Sequence, residues 1–295
     1  MRVTRLSTAF YLWTCASMAL IMACNQGLLQ KTVPIPEREE IQQSYTLSPG
    51  ARVTITHLPF GSLVVQPVDT MVAELRIIRS AATDSDLKCS RISVIHTSAS
   101  LNIRGDDNSD CIPPHSAITQ SVLLRLPRSV SIEMNTISAT LMVGEAEGRG
   151  PDFVTDAVGR KIARPLNRPY VYGKGFNGSV SLRNINGPVK LVQGTGETRI
   201  SGVNGAVRVA LRHPDSKSLT INGITGGVTL LWGATFNGQI TTYNLRGSLL
   251  SRGTSTASPE DTKGRYRIPT GSEASMVSVS GVIGDVTVVR GDEEE

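Results

Sequence analysis

Val180-Ser-Leu-Arg-Asn-Ile-Asn-Gly-Pro-Val-Lys-Leu191, then Thr198-Arg-Ile-Ser-Gly-Val-Asn-Gly-Ala-Val-Arg-Val209, then Leu219-Thr-Ile-Asn-Gly-Ile-Thr-Gly-Gly-Val-Thr-Leu230: these three lines decide the fold. They belong to a repeat that runs from Phe176 to Ser251. One series is the tripeptides Ile185-Asn-Gly187, Val203-Asn-Gly205, Ile224-Thr-Gly226 and Leu245-Arg-Gly247, each followed by alternating apolar residues such as Val189/Leu191 and Val207/Val209. A second series lies between them, turning at Asn177-Gly178, Thr195-Gly196, Ser216-Lys217 and Asn237-Gly238, and followed by Val180/Leu182, Thr198/Ile200, Leu219/Ile221 and Ile240/Thr242. Both series advance by the same steps. The unit is therefore a pair of short strands, and self-similarity at a set spacing marks a solenoid.

Neighbouring residues of a strand face opposite ways. Val180, Leu182, Val189, Leu191, Ile200, Val207, Val209, Leu219, Ile221, Val228, Leu230 and Ile240 are thus expected to stack inward as aliphatic ladders. Ser181, Lys190, Arg199, Arg208, Thr220, Thr229 and Thr241 are expected to face outward. The Asn-Gly pairs fit corners, because both residue types accept positive φ. The expected fold is all-β: a parallel β-solenoid with two short strands per coil, capped by a looser N-terminal β layer, since end coils cannot bury their own faces.

The composition agrees with strands. Glycine is abundant at 28 residues, aromatics make up 4%, and the apolar residues lean towards Val, Ile and Leu, which suit a pleated surface. Residues 1–23 read as an export signal, with Arg2 and Arg5 ahead of the apolar run Leu6 to Ala23. Leu20-Ile-Met-Ala-Cys24 resembles the lipobox of bacterial lipoproteins, and that resemblance implies lipidation of Cys24 as the first mature residue. An uncleaved transmembrane anchor is the rival reading; Ser7, Thr8, Thr14, Cys15 and Ser17 dilute the run as a span. Asn25 differs from the aspartate that resembles an inner-membrane retention signal, so the outer membrane is the expected destination in a cell with two. Without Arg2 and Arg5 the chain loses two positive charges and its formal net charge falls from +5 to +3. That excess is too small to argue for nucleic acid. Cys89 and Cys111 remain as a pair in an oxidising compartment and are expected to form a disulfide.

Residues 24–40 hold Pro34, Pro36 and Glu37-Arg-Glu-Glu40, the composition of a tether. Residues 41–143 carry a run of period-two strand signals, among them Val53/Ile55, Leu63/Val65, Val72 to Ile78, Leu101/Ile103 and Val122/Leu124/Leu126, and no helix of any length competes with them. Residues 144–175 break the pattern as a loop insertion. The repeat region spans 176–290, with a second insertion at 253–275, and repeats its motif once more at Val277/Val279 and Ile283-Gly-Asp-Val286-Thr-Val288. Residues 291–295 form an acidic tail.

Pro49-Gly-Ala-Arg-Val-Thr-Ile55, Gly61-Ser62 before Leu63-Val-Val65, Leu124-Arg-Leu-Pro-Arg-Ser-Val-Ser-Ile132 and the later Gly-x-Val-x-Leu repeats resemble a family of bacterial β-strand-repeat proteins grouped as candidate adhesins, a domain of unknown function. The resemblance covers most of residues 41–290 and implies an exported parallel β-solenoid with no established catalytic residues to carry over.

The remaining motifs point to no chemistry. Gly173-Lys-Gly-Phe-Asn-Gly178 matches a dinucleotide-binding spacing but lacks the strand and helix that fingerprint requires, so it reads as a turn entering the first coil. Asp106-Asp-Asn-Ser-Asp110 resembles the start of a calcium loop, yet Cys111 stands where glycine is needed and no glutamate closes it. Arg104-Gly-Asp106 is a lone tripeptide. His57, His96, His115 and His213 show no metal spacing. No catalytic residue, metal or cofactor is expected. The function read from the sequence is a non-catalytic cell-envelope module that is adhesive, binding or structural. Its partners are the membrane through the N-terminal lipid and a surface polysaccharide or another envelope protein. The alternative is a carbohydrate-active or anionic-polysaccharide-binding protein, for which the outward Lys190, Arg199 and Arg208 are the candidate ligand-facing residues.

Overall fold

The computed structural model describes residues 37–59, 61–107, 118–144, 146–147, 153–155, 161–163, 171–172, 174–211, 216–233, 238–252, 258–259, 266–269 and 275–290. The first half holds β1 (Glu37–Thr46), β2 (Arg52–Thr56), β3 (Gly61–Val68), β4 (Val72–Ala81), α1 (Asp84–Cys89), β5 (Ser90–Thr97), β6 (Ser100–Asp107), β7 (Thr119–Pro127), β8 (Ser131–Ile137) and β9 (Thr140–Val143). Within the stretch read as the first insertion lie β10 (Ala146–Glu147), β11 (Phe153–Thr155), β12 (Lys161–Ala163) and β13 (Val171–Tyr172). The repeat region follows with β14 (Val180–Asn186), β15 (Val189–Gln193), β16 (Thr198–Asn204), β17 (Val207–Leu211), β18 (Leu219–Ile224), β19 (Val228–Trp232), β20 (Gly238–Tyr243) and β21 (Leu249–Arg252). The second insertion contributes β22 (Ser258–Pro259) and β23 (Tyr266–Pro269), before β24 (Ser275–Val282) and β25 (Val286–Arg290).

These strands build two large mixed sheets, neither of which closes into a barrel. A ten-stranded sheet has the order β1-β4-β7-β3-β9-β15-β17-β19-β25-β21, and an eleven-stranded sheet the order β22-β23-β20-β24-β18-β16-β14-β8-β2-β6-β5. Two short antiparallel pairs, β10 with β13 and β11 with β12, stand apart from them. From β14 to β19 the chain alternates between the large sheets, and both advance in register. Val180 pairs with Thr198, and Thr198 with Leu219; Val189 pairs with Val207, and Val207 with Val228. Inward residues of both sheets share one hydrophobic cluster, and all twelve residues expected in the aliphatic ladders are buried in it.

Three features depart from the sequence reading. First, the N-terminal strands join the repeat rather than covering it loosely. β8 pairs in parallel with β14, β2 with β8, β9 with β15 and β3 with β9. Within the two large sheets, antiparallel pairing lies near the sheet ends, as in β1 with β4, β4 with β7, β5 with β6 and β20 with β23. Second, β24 and β25 pair directly with β18 and β19, which displaces β20 and β21 outward. Composition accounts for that order. Val277, Val279, Val282, Val286 and Val288 present an all-aliphatic inner face, whereas the displaced strands place Thr242 and Ser251 at the matching ranks. The apolar strands gain more from being covered on both sides. Third, a helix of six residues exists. Thr83 caps α1 through a capping box with Asp86, whose amide donates to Thr83 Oγ1 at 3.1 Å while Asp86 Oδ2 accepts from the Thr83 amide at 3.1 Å.

The corners also hold an unforeseen column. His57, Thr136, Asn184, Gly202, Gly223, Gly281 and Asn244 all have φ between 52° and 66°. They occupy one rank across neighbouring strands of the eleven-stranded sheet, because Arg183 pairs with Ser201 and Ile185 with Val203 on either side of Asn184 and Gly202. Each left-handed residue bends its strand, so that Arg183 and Asn184 are both exposed before Ile185 returns to the core. At the turns, side chains stack as well as backbones: Asn204 Nδ2 donates to Asn186 Oδ1 at 3.0 Å, and Thr225 Oγ1 donates to Asn204 Oδ1 at 2.8 Å. Glycine at a turn also answers to close approach. A Cβ on Gly196 would lie 1.9 Å from the Gly178 carbonyl oxygen, so the backbones meet where no side chain fits.

Candidate binding surface

The three basic positions singled out by the sequence do not form one row. Lys190 on β15 and Arg208 on β17 are register partners on the outer face of the ten-stranded sheet. Arg199 lies on β16, in the eleven-stranded sheet, with Ser181 and Thr220 as its register neighbours. The two strands of each repeat belong to opposite sheets, so their outward side chains point away from each other. Lys190 is half-buried, and its pKa is held below the ordinary lysine value first by burial and then by the neighbouring Arg208 charge.

The two outer faces differ in chemistry. On the ten-stranded sheet, Val192, Ala210, Leu231 and Val289 share one rank and form a second small apolar cluster in which Ala210 and Leu231 are fully buried. On the eleven-stranded sheet, the rank Arg104, Thr56, Asn135, Arg183, Ser201 and Asn222 runs straight across six strands through successive register pairs. Arg183, which the sequence reading passed over, is a diagonal neighbour of Arg199: Arg199 pairs with Ser181 and Arg183 with Ser201. Its period-two position was legible; its juxtaposition with Arg199 required the strand register.

Arg199 pairs with Glu197 at 2.8 Å and Arg104 with Asp106 at 2.8 Å. The Arg104-Gly-Asp106 tripeptide thus lies in β6 with its two charges joined. Arg52, Arg91 and Arg183 are exposed on the same sheet and have no ion-pair partner among the described residues.

Another buried charge stands at the N-terminal end. Arg79, 5% exposed, donates through Nη2 to the Leu87 carbonyl near the end of α1 and lies 3.4 Å from Glu39. Its register partner Gln120 is equally buried. There the edge strands of the two sheets also meet: the Tyr45 and His96 rings are 4.9 Å apart, and His96 Nε2 donates to the Thr46 carbonyl at 3.0 Å. Burial raises the Tyr45 pKa. His57 takes its place in the left-handed column, while His115 and His213 lie outside the described residues. Cys89 is buried at the end of α1; Cys24 and Cys111 lie outside the described residues, as do Asn108 to Asp110. Of the glycine-rich stretch, Gly175 and Gly178 sit where a Cβ would strike a neighbouring backbone, which accounts for both as packing glycines.

No protein-family model matches the sequence, and no curated protein matches it. Among solved structures, a candidate cell adhesion protein from Clostridium sporogenes is similar at 9% identity, over 86% of this chain and 100% of that one, with a TM-score of 0.44. A candidate adhesin from Bacteroides fragilis is similar at 10% identity, over 86% and 98% of the two chains, with a TM-score of 0.30. A candidate lipid binding protein from Parabacteroides distasonis follows at 8% identity, over 85% and 97%, with a TM-score of 0.26. Likeness at this level transfers no function to this chain.

Proposed function

We propose that this chain is a non-catalytic, adhesin-like binding or structural module of the bacterial cell envelope, exported and held by a lipid on Cys24. Its two sheets form a parallel β-solenoid with two strands per coil. The observation that carries the reading is the common step of both sheets, in which Val180, Thr198 and Leu219 follow one another in one and Val189, Val207 and Val228 in the other. Stacking of this kind extends a surface with each added strand pair and repeats the same side-chain rank, which suits contact with an extended partner. Glu37–Glu40, read from the sequence as the end of the tether, belong to β1, so the segment between Cys24 and β1 is what would hold that surface away from the membrane.

Two measurements test it. Cys24→Ser should abolish lipid labelling and release the chain from the membrane fraction; labelling that survives the change would remove the anchor from the proposal. Incubation of the purified mature chain with polysaccharides should release neither new reducing ends nor unsaturated products. Either product would make it a carbohydrate-active enzyme.

A further inference from the structure

We infer that the outer face of the eleven-stranded sheet docks a linear acidic polysaccharide, laid across the strands along the rank Arg104, Thr56, Asn135, Arg183, Ser201 and Asn222. The inference rests on the reading of the chain as a binding module and names the surface and the ligand class.

Charge selects an acidic partner. Among the described side chains, five arginines, Arg52, Arg91, Arg104, Arg183 and Arg199, face outward from this sheet, against the carboxylates Glu133, Glu197 and Asp106. Glu197 and Asp106 are each taken up by one arginine, at 2.8 Å in both cases. Arg52, Arg91 and Arg183 remain exposed, with no ion-pair partner among the described residues. Guanidinium groups suit carboxylates because their planar fork matches two oxygens at once.

Spacing selects an extended polymer. Neighbouring strands lie about 4.8 Å apart, so a chain running perpendicular to them meets a new hydroxyl, amide or guanidinium at every strand. Arg104 and Arg183 stand three strands apart, roughly 14 Å, with Thr56 and Asn135 between them. The bend at Asn184 leaves Arg183 and Asn184 exposed side by side. On the outer face of the ten-stranded sheet, by contrast, the rank through Ala210 and Leu231 is apolar and buried.

Chromatography of the purified mature chain on immobilised polygalacturonate, with immobilised neutral dextran as the control, tests the inference. The chain should be retained on the polyuronate alone, with retention that weakens as salt rises. Arg183→Ala combined with Arg199→Ala should reduce retention about tenfold, the loss expected from a charge-assisted contact or two. Asn222→Asp, a near-isosteric change on the same rank, should reduce it without disturbing the fold. Lys190→Ala with Arg208→Ala, on the other sheet, should leave it unchanged. Three results overturn the inference: no retention on polyuronate, equal retention on dextran, or equal losses from the Lys190/Arg208 and Arg183/Arg199 pairs. Cleavage of the polymer would instead defeat the non-catalytic reading, so the two failures are distinguishable.

Discussion

Val207 and Val228 are register partners on adjacent parallel strands, and each is 1% exposed within the main hydrophobic cluster. Arg208, the next residue along the chain from Val207, faces outward. Val207→Asp places a carboxylate in an aliphatic stack and should cost several kcal/mol of stability. Arg208→Asp, at the outward rank of the same strand, should cost far less. Urea denaturation of the two variants checks the contrast, and equal losses would overturn the strand register.

Lys190 should titrate below an ordinary lysine, and Arg208→Gln should raise its pKa by removing the nearer positive charge. The depressed value means that the folded chain releases this proton before the unfolded chain does. Between the depressed pKa and the ordinary lysine value, the unfolded state therefore binds more protons, and the Lys190 contribution to stability rises with pH. NMR titration of the Lys190 side chain in the parent and the Arg208→Gln variant reads both effects. An unshifted Lys190 in the parent would contradict the half-buried setting.

Gly50 and Gly196 separate two reasons for glycine. Gly50 has φ 77°, and a Cβ there would meet nothing within 4 Å, so Gly50→Ala should cost only the left-handed strain, about 1 kcal/mol. At Gly196 the added carbon would sit 1.9 Å from the Gly178 carbonyl oxygen, and neighbouring backbones would have to part. Gly196→Ala should lower the melting temperature far more than Gly50→Ala. Similar shifts would mean that the strands are not packed as closely as the structure has them.

Cys89 and Cys111 are expected to be disulfide-bonded in the mature chain. Free-thiol counting after denaturation without reductant should find neither, and reduction should destabilise the chain by about 3 kcal/mol on chain-entropy grounds. Two reactive thiols would defeat the pairing.

The inner faces were fully legible in the repeat. Val180/Leu182, Val189/Leu191 and Val207/Val209 alternate with polar residues, and a strand backbone turns successive side chains to opposite sides whatever surrounds it. That local rule placed all twelve ladder residues in the core. It also placed Lys190, Arg199 and Arg208 outward, since each sits at the polar rank of its own strand.

What local rules left open was which strand lies beside which. Lys190 and Arg208 came together, and Arg199 went to Arg183, because alternate strands of the repeat cross to opposite sheets. β24 took the place beside β18 because any aliphatic strand can pair with any other in parallel, and only burial on both sides favours the one whose inner face is all valine. The left-handed column was half visible, in the glycines at 202, 223 and 281. It stayed hidden at Thr136, a β-branched residue that rarely adopts positive φ, where the bend is imposed by the strands stacked alongside. A single strand's own backbone decides which way its side chains face, but only the packed sheets decide what those side chains face together.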